Sequence, residues 1–174
     1  MAYLNQHLKK ENFMEVLTYN HKRYRPIVEV LDNIVKSAKE LNWLDFEEIA
    51  IAVSKENCSS FCSEIHRGTK DALKQSNITT STNIDTMIEF SLKLNKNPNE
   101  ITNDDIQVIR DMGWNDQSIE DVVAWVASIN LYNTMAVGLG FSDKLPSEAF
   151  DEMGSGTISH GGFLSIFDFF VSQN

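Results

Sequence analysis

The sequence predicts an all-α protein, and three features of the chain support that fold class. Apolar residues recur at spacings of three and four along most of the chain, as they do on one face of an α-helix. No segment alternates apolar and polar residues for long enough to indicate a strand. Only three prolines, at positions 26, 98 and 146, interrupt the helical pattern. We therefore expect about seven or eight helices, and a chain of 174 residues is typical of a single domain over 1–174.

The periodicity assigns six helices ahead of the C-terminal segment, at 25–41, 44–57, 59–76, 81–97, 101–113 and 116–138. The first has Pro26 in its first turn, where a missing backbone N–H is tolerated. The fifth opens with Thr102 and Asp105 in the pattern of a capping box, and Gly113 suits its C-terminal end. The sixth is strongly apolar and is expected to end near Gly138 and Gly140.

The last part of the chain, 143–174, is predicted to be a linker followed by an apolar tail. Residues 151–162 are rich in glycine and other small residues, which indicates a flexible stretch. Residues 163–174 contain four phenylalanines, and these need cover from the domain's own core or from a neighbouring subunit. The sixth helix adds further apolar positions, Val122, Val123, Val126 and Ile129. Together these features predict a stable homo-oligomer.

The overall charge and the hydropathy pattern argue against two classes of partner. The formal net charge of −10 repels a polyanion and no basic stripe offsets it, so nucleic acid is not an expected partner. No apolar run is long enough to cross a bilayer, and the first residues lack the apolar core of a secretory signal. We expect a cytoplasmic protein with neither nucleic acid nor membrane as a partner.

The two cysteines of the chain form the clearest candidate site. Cys58 and Cys62 lie four residues apart, and His66 follows four residues later. In a helix that begins near Ser59, Cys62 and His66 lie on the same face. A helix N-terminus and a nearby imidazole both favour a thiolate over a thiol, which is the form that a nucleophilic cysteine needs. Glu47, on the preceding helix, can fold back beside this turn.

Two other interpretations of the same residues remain open. Cys58, Cys62 and His66 offer two sulfurs and a nitrogen to a metal ion, with His160 as the one distant candidate for a fourth ligand. Alternatively, Cys62 packs in the core as a small apolar residue and His66 is satisfied by hydrogen bonds. The spacing of the three residues beside a helix start favours the reactive thiol, so we expect no metal and no cofactor.

Residues 46–66, FEEIAIAVSKENCSSFCSEIH, resemble the core of the carboxymuconolactone decarboxylase superfamily, in particular its alkylhydroperoxidase D-like, peroxidase-related branch. That branch shows a glutamate, an apolar helix, a turn, and then two cysteines and a histidine. Residues 100–141 resemble the branch's downstream segment, with Asn130 and Asn133 ahead of a glycine-rich end. The resemblance covers roughly residues 10–142 and implies an all-α alkylhydroperoxidase D-like domain that forms obligate oligomers.

The resemblance implies an antioxidant peroxidase activity with named roles. Glu47 and His66 correspond to a proton relay that helps to deprotonate Cys62. The Cys62 thiolate then attacks a hydroperoxide and becomes a sulfenic acid, which the first cysteine of the motif resolves as a disulfide. The implied partners are a peroxide substrate and a dithiol reductant. On this basis Cys62 is expected to be the more acidic and more reactive of the two cysteines.

The sequence departs from the branch at the first cysteine of the motif. That position is Ser59 here, and Cys58 lies one residue earlier, where the branch usually has a small residue. The attacking thiol therefore matches, whereas a disulfide to Cys58 requires Cys58 to lie in the turn before the helix. Two alternative functions follow: a redox-sensing or non-catalytic oligomer that kept the fold, and a lactone decarboxylase like the founding activity of the superfamily.

Overall fold

A computed structural model describes residues 2–141 and 145–173 of the chain. Within these ranges the chain forms nine α-helices, two 3-10 helices and no strand, so the predicted fold class is confirmed. The α-helices are α1 Phe13–Tyr19, α2 His21–Ser37, α3 Trp43–Glu56, α4 Ser60–Gln75, α5 Ile84–Lys96, α6 Asn103–Asp111, α7 Asp116–Gly138, α8 Ser147–Ser159 and α9 Phe163–Ser172. The 3-10 helices span Asn5–His7 and Pro98–Glu100. The predicted helix count was low because neither α1 nor α8 was recognised from the sequence.

Capping boxes fix the beginnings of two helices in the described ranges. The predicted capping box at the start of α6 is confirmed, with the Thr102 N–H donating to Asp105 Oδ2 at 2.8 Å. A second capping box joins Asn42 and Asp45 at the start of α3. Asp45 is fully buried and also accepts from the Ser81 hydroxyl at 2.6 Å. This carboxylate therefore anchors the helix that carries Glu47 to the chain just ahead of α5.

The expected position of Pro26 in the first turn of its helix is wrong. Helix α2 begins at His21, so Pro26 lies inside the helix, in the second turn. The first turn forms without it because the N–H groups of Arg23 and Tyr24 both donate to the Asn20 carbonyl. A proline this close to the N-terminus removes only one hydrogen bond from the helical ladder.

The predicted linker at 151–162 is also wrong for most of its length. Residues 147–159 form helix α8, and the only turn is at Gly161 and Gly162, whose φ angles are +80° and +134°. The start of the predicted linker at 143–144 lies outside the described residues. Small residues serve here for close packing, because a β-carbon at Gly154 would overlap the backbone of Gly68 on α4.

Helices α3, α4 and α7 form the centre of the molecule, and the other helices pack around them. The apolar side chains of α3 from Phe46 to Val53 are buried except that of Ala52, and they pack mainly with α5 and α7. A second apolar cluster joins α1, α4, α8 and α9. Phe167 of the predicted tail is fully buried in this cluster, whereas Phe169 and Phe170 are 43% and 41% exposed. The tail is therefore covered in part by the domain itself.

The apolar surface of α7 is smaller than its sequence indicates. Val122, Val126 and Ile129 are buried in the core, and only Val123 of this group is substantially exposed. None of the helices in the described ranges combines the length and the apolar character needed to cross a membrane.

The turn between α3 and α4 sets the direction of the helix that carries Cys62. The N–H of Ser59 donates to the Ser54 carbonyl at 2.9 Å, and the N–H of Cys58 donates to the Lys55 carbonyl at 3.0 Å. These two bonds form a Schellman motif, whose turn residue has left-handed backbone. That residue is Cys58, with a φ of +53°, at a position where glycine is the usual choice.

The first testable prediction concerns the crossing of α4 and α8. Gly154→Ala is expected to destabilise the protein by at least about 2 kcal/mol, because the added methyl group meets helix backbone that cannot rotate away. Gly138→Ala is the matched control, since nothing lies within 4 Å of its β-carbon position. The control is expected to change the free energy of unfolding by less than about 1 kcal/mol. Urea unfolding measures both, and similar effects at the two sites would contradict the close crossing.

The second prediction concerns the left-handed residue of the turn. Cys58→Gly is expected to stabilise the protein by about 0.5–1 kcal/mol, because it relieves a left-handed backbone cost of about 1–2 kcal/mol and adds a smaller cost in chain entropy. Cys58→Ser keeps the β-carbon and is expected to give no gain. A glycine variant no more stable than the serine variant in urea unfolding would show that the turn carries no such strain.

Candidate active site

The sequence-predicted residues Glu47 and His66 are joined by a buried hydrogen bond between α3 and α4. His66 Nδ1 and Glu47 Oε2 lie 2.6 Å apart, and their side chains are 8% and 0% exposed. The Trp43 indole N–H donates to the other carboxylate oxygen, Glu47 Oε1, at 2.8 Å. Each oxygen of the Glu47 carboxylate therefore has a hydrogen-bond partner in the protein, which offsets the free-energy cost of burying the group.

The sequence did not predict the role of Trp43. Its spacing from Glu47, one helical turn along α3, was the available signal. A second tryptophan, Trp125, lies edge-on to the His66 ring with centroids 6.2 Å apart. The two indoles therefore hold the Glu47–His66 pair from two sides.

Cys62 lies one turn before His66 on the same face of α4 and is 4% exposed. Burial raises the pKa of the Cys62 thiol to about 11. The neighbouring Ser59 hydroxyl lowers that pKa, but its contact falls short of a regular hydrogen bond and leaves the buried oxygen without a full partner. This raised pKa favours the protonated thiol of Cys62 at neutral pH, and the expectation that Cys62 is the more acidic of the two cysteines stays a prediction.

Cys58 lies in the turn before α4, as a disulfide to Cys62 would require, but the two cysteines have opposite environments. Both are free thiols, and Cys58 is exposed whereas Cys62 is buried. The two sulfurs can pair only if one of the side chains leaves its present environment. No hydrogen bond joins Cys62 to His66 in the described part of the chain.

Cys62 and His66 line a cavity of about 70 Å³ between α1, α2, α4 and the C-terminal helices. The walls are mostly apolar, and they include Phe61 of α4 and Phe163 and Ile166 of α9. The cavity also has Tyr132 of α7 in its wall. The segment that the sequence predicted to be a tail is therefore part of the cover over the thiol.

Asn130 and Asn133 lie outside the cavity, and both side chains form hydrogen bonds across a helix junction. Asn130 Oδ1 accepts from the side chain of Asn57 at 2.6 Å. Asn133 Oδ1 accepts from the Ser54 hydroxyl at 3.1 Å. These bonds tie the end of α3 to α7 just ahead of the Cys58 turn.

The metal interpretation finds no support in the part of the chain that the structure describes. No three histidine, cysteine, aspartate or glutamate side chains come together there in an arrangement that could hold an ion. His160 instead donates from Nδ1 to the Gly156 carbonyl at 2.8 Å, and its ring lies 4.6 Å from that of Phe169.

Comparisons with known proteins identify the fold. No protein-family model and no curated protein matches the chain. A solved structure of an uncharacterized peroxidase-related protein from Silicibacter sp. TM1040 matches with a TM-score of 0.69 and 19% identity, over 86% of this chain and 78% of that one. The alkylhydroperoxidase AhpD core of an uncharacterized peroxidase-related protein from Ralstonia eutropha JMP134 matches with a TM-score of 0.67 and 22% identity, over 80% and 78%. The chain therefore has the AhpD-like fold that its sequence resemblance implied.

Proposed function

We propose that the protein is a thiol-dependent peroxidase that reduces hydroperoxides through Cys62. The observation that carries this proposal is the buried 2.6 Å contact between His66 and Glu47, next to a cysteine on the same helix face. A buried carboxylate that fixes an imidazole beside a nucleophile is the arrangement by which enzymes activate a weak nucleophile. The shared fold with peroxidase-related proteins is in accord with this function.

The Glu47–His66 contact prepares His66 to act as a base. Because Glu47 is an acceptor, the Nδ1 that faces it carries the proton, and Nε2 is left with its lone pair. Nε2 can then take the proton of Cys62, directly after a small side-chain movement or through a bound water. The negative charge of Glu47 stabilises the imidazolium that forms, as the acidic member of a catalytic triad does.

The chemical step uses only groups of this site and the substrate. The Cys62 thiolate attacks the terminal oxygen of ROOH, a sulfur–oxygen bond forms, and the O–O bond breaks. Sulfur loses two electrons to the peroxide, and the leaving RO⁻ takes the proton that His66 received. The products are Cys62 sulfenic acid and ROH, and His66 returns to its neutral form.

The raised pKa of Cys62 protects the resting enzyme. A thiol that stays protonated in an apolar cavity reacts slowly with general oxidants and alkylating agents. The thiolate forms only when a side-chain movement or a bound water completes the path from Cys62 to His66. The reactive form is therefore a minor species in the resting protein.

The sulfenic acid is then reduced by a thiol, either that of Cys58 or that of an external dithiol. Attack by Cys58 gives a Cys58–Cys62 disulfide and water, and a dithiol restores both thiols by exchange. The exposed position of Cys58 suits the exchange step with an external partner.

A redox sensor is the second candidate, and the opposite environments of the two cysteines favour it. If Cys58 cannot reach Cys62, the protein is oxidised once by peroxide and is not reset at a useful rate. In both cases we propose that the working form is a homo-oligomer, supported by the exposed apolar rings of Tyr19, Phe169 and Phe170, of which Tyr19 and Phe170 line the same surface groove.

The proposed relay is tested by removing the charge of Glu47. Glu47→Gln is expected to slow the oxidation of Cys62 by tert-butyl hydroperoxide by about 10²-fold or more, because the imidazolium loses its counter-charge. Glu48→Gln is the matched control, since Glu48 is on the same helix but pairs at the surface with Lys70 and Lys74. The rate is measured by mixing the protein rapidly with the peroxide, stopping the reaction at set times and quantifying oxidised Cys62 by mass spectrometry.

Equal rates in the Glu47 and Glu48 variants would exclude the relay, and no oxidation of wild-type Cys62 would exclude the peroxidase. Peroxide consumption with excess dithiol then separates the two candidate functions. Continuous consumption identifies an enzyme, whereas about one equivalent per chain identifies a sensor.

The raised pKa of Cys62 gives a prediction about pH. In Cys58→Ser, which leaves Cys62 as the one cysteine, alkylation of the native protein is expected to reach half its maximal rate near pH 11. In urea the midpoint should fall to the ordinary thiol value of about 8.5. Because the folded pKa is the higher one, the free energy of unfolding should decline as the pH rises between these two values. That decline should be smaller in Cys62→Ser, where Tyr132 alone of the two buried groups still contributes above about pH 10, and a native midpoint at or below pH 8.5 would contradict the burial argument.

A further inference from the structure

Tyr132 is an additional residue of the cavity that the relay of Glu47, His66 and Cys62 does not use. We propose that Tyr132 is a catalytic residue whose hydroxyl donates a hydrogen bond to the leaving oxygen of the bound hydroperoxide. This inference rests on the proposed peroxidase function and adds a donor for the charge that develops when the O–O bond breaks.

The position of the Tyr132 hydroxyl is the first observation. Tyr132 lies on α7 and shares the wall of the cavity with Cys62 and His66. Its hydroxyl oxygen is buried and has no hydrogen-bond partner among the described residues. The ring itself is held by packing, including an edge contact with Phe13 at 6.5 Å between centroids. A buried hydroxyl without a partner is destabilising, and such groups in native structures call for an explanation.

The other polar groups of the cavity wall are already committed to partners. The Thr69 hydroxyl donates to the Ile65 carbonyl at 3.1 Å, within its own helix. The Thr157 hydroxyl donates to the Met153 carbonyl at 2.9 Å in the same way. Nδ1 of His66 is engaged by Glu47. The phenolic proton of Tyr132 is therefore the uncommitted hydroxyl donor in the part of the wall that the structure describes.

The chemistry of the phenol suits a donor rather than a base. Burial raises the pKa of Tyr132, and a negative charge on Cys62 raises it further, which also shows that the two groups are close enough to interact. Tyr132 therefore keeps its proton when the Cys62 thiolate forms. A neutral phenol beside a thiolate can direct its O–H at an oxygen that gains negative charge.

The donor acts during the attack on the peroxide. As the Cys62 sulfur bonds to the terminal oxygen, the electron pair of the O–O bond moves onto the RO oxygen. The Tyr132 O–H stabilises this charge by a hydrogen bond and keeps its own proton, and the proton from His66 Nε2 completes ROH. Such a preorganised donor in a site without water typically contributes about 10²–10³-fold to a rate.

Tyr132→Phe removes only the oxygen and tests the proposal directly. The second-order rate of Cys62 oxidation by tert-butyl hydroperoxide is expected to fall about 10²-fold. The rate of Cys62 alkylation by iodoacetamide should stay within about 3-fold of wild type, because iodide leaves without need of a hydrogen bond from the phenol. Tyr19→Phe is the control, since Tyr19 is an exposed tyrosine outside the cavity. The urea midpoint of Tyr132→Phe should be equal to or above that of wild type.

The outcomes separate this inference from the proposed function. If wild-type Cys62 does not react with hydroperoxide, the peroxidase proposal itself fails. If wild type reacts and Tyr132→Phe reacts equally fast, the peroxidase stands and the role of Tyr132 is overturned. A parallel loss of oxidation and alkylation, or a clearly lower urea midpoint, would show that the hydroxyl is structural and would also overturn the proposal.

Discussion

The hydrogen bond between Glu47 and His66 is the constraint on which the rest of the site depends. An unpaired carboxylate in the interior of a helical domain would be strongly destabilising, so Glu47 can be buried only with both oxygens satisfied. One bond comes from Trp43 on its own helix and the other from α4, so the pair fixes α3 and α4 in register. That register sets where Cys62, one turn from His66, meets the cavity.

The helices around this pair decide how reactive the thiol is. Gly68 and Gly154 let α8 approach α4 so closely that the backbones are in contact, and α9 closes the cavity with Phe163 and Ile166. The same burial that raises the pKa of Cys62 lowers the local dielectric, which strengthens the hydrogen bonds within the site.

The fold was predictable from the sequence wherever the signal is local. The apolar spacing of α3 and the capping box of Thr102 depend on interactions within a few residues, and both expectations were confirmed. Helix α8 was mistaken for a linker because its glycines carry the usual signature of flexibility. Gly154 instead allows α8 to contact the backbone of α4 at Gly68. These residues are more than 80 positions apart, and a contact between such distant residues leaves no local pattern in the sequence.

The sequence by itself brought Glu47, Cys62 and His66 together, because helical spacing and a family resemblance both place them in one site. It also showed that Cys58 is one residue out of position. Only the tertiary structure decided that Cys62 is buried with a raised pKa, that Cys58 is exposed, and that Tyr132, whose buried hydroxyl has no partner among the described residues, shares the wall of the same cavity. Burial and pKa depend on which distant helices cover a side chain, and that is a property of packing in three dimensions rather than of spacing along the chain.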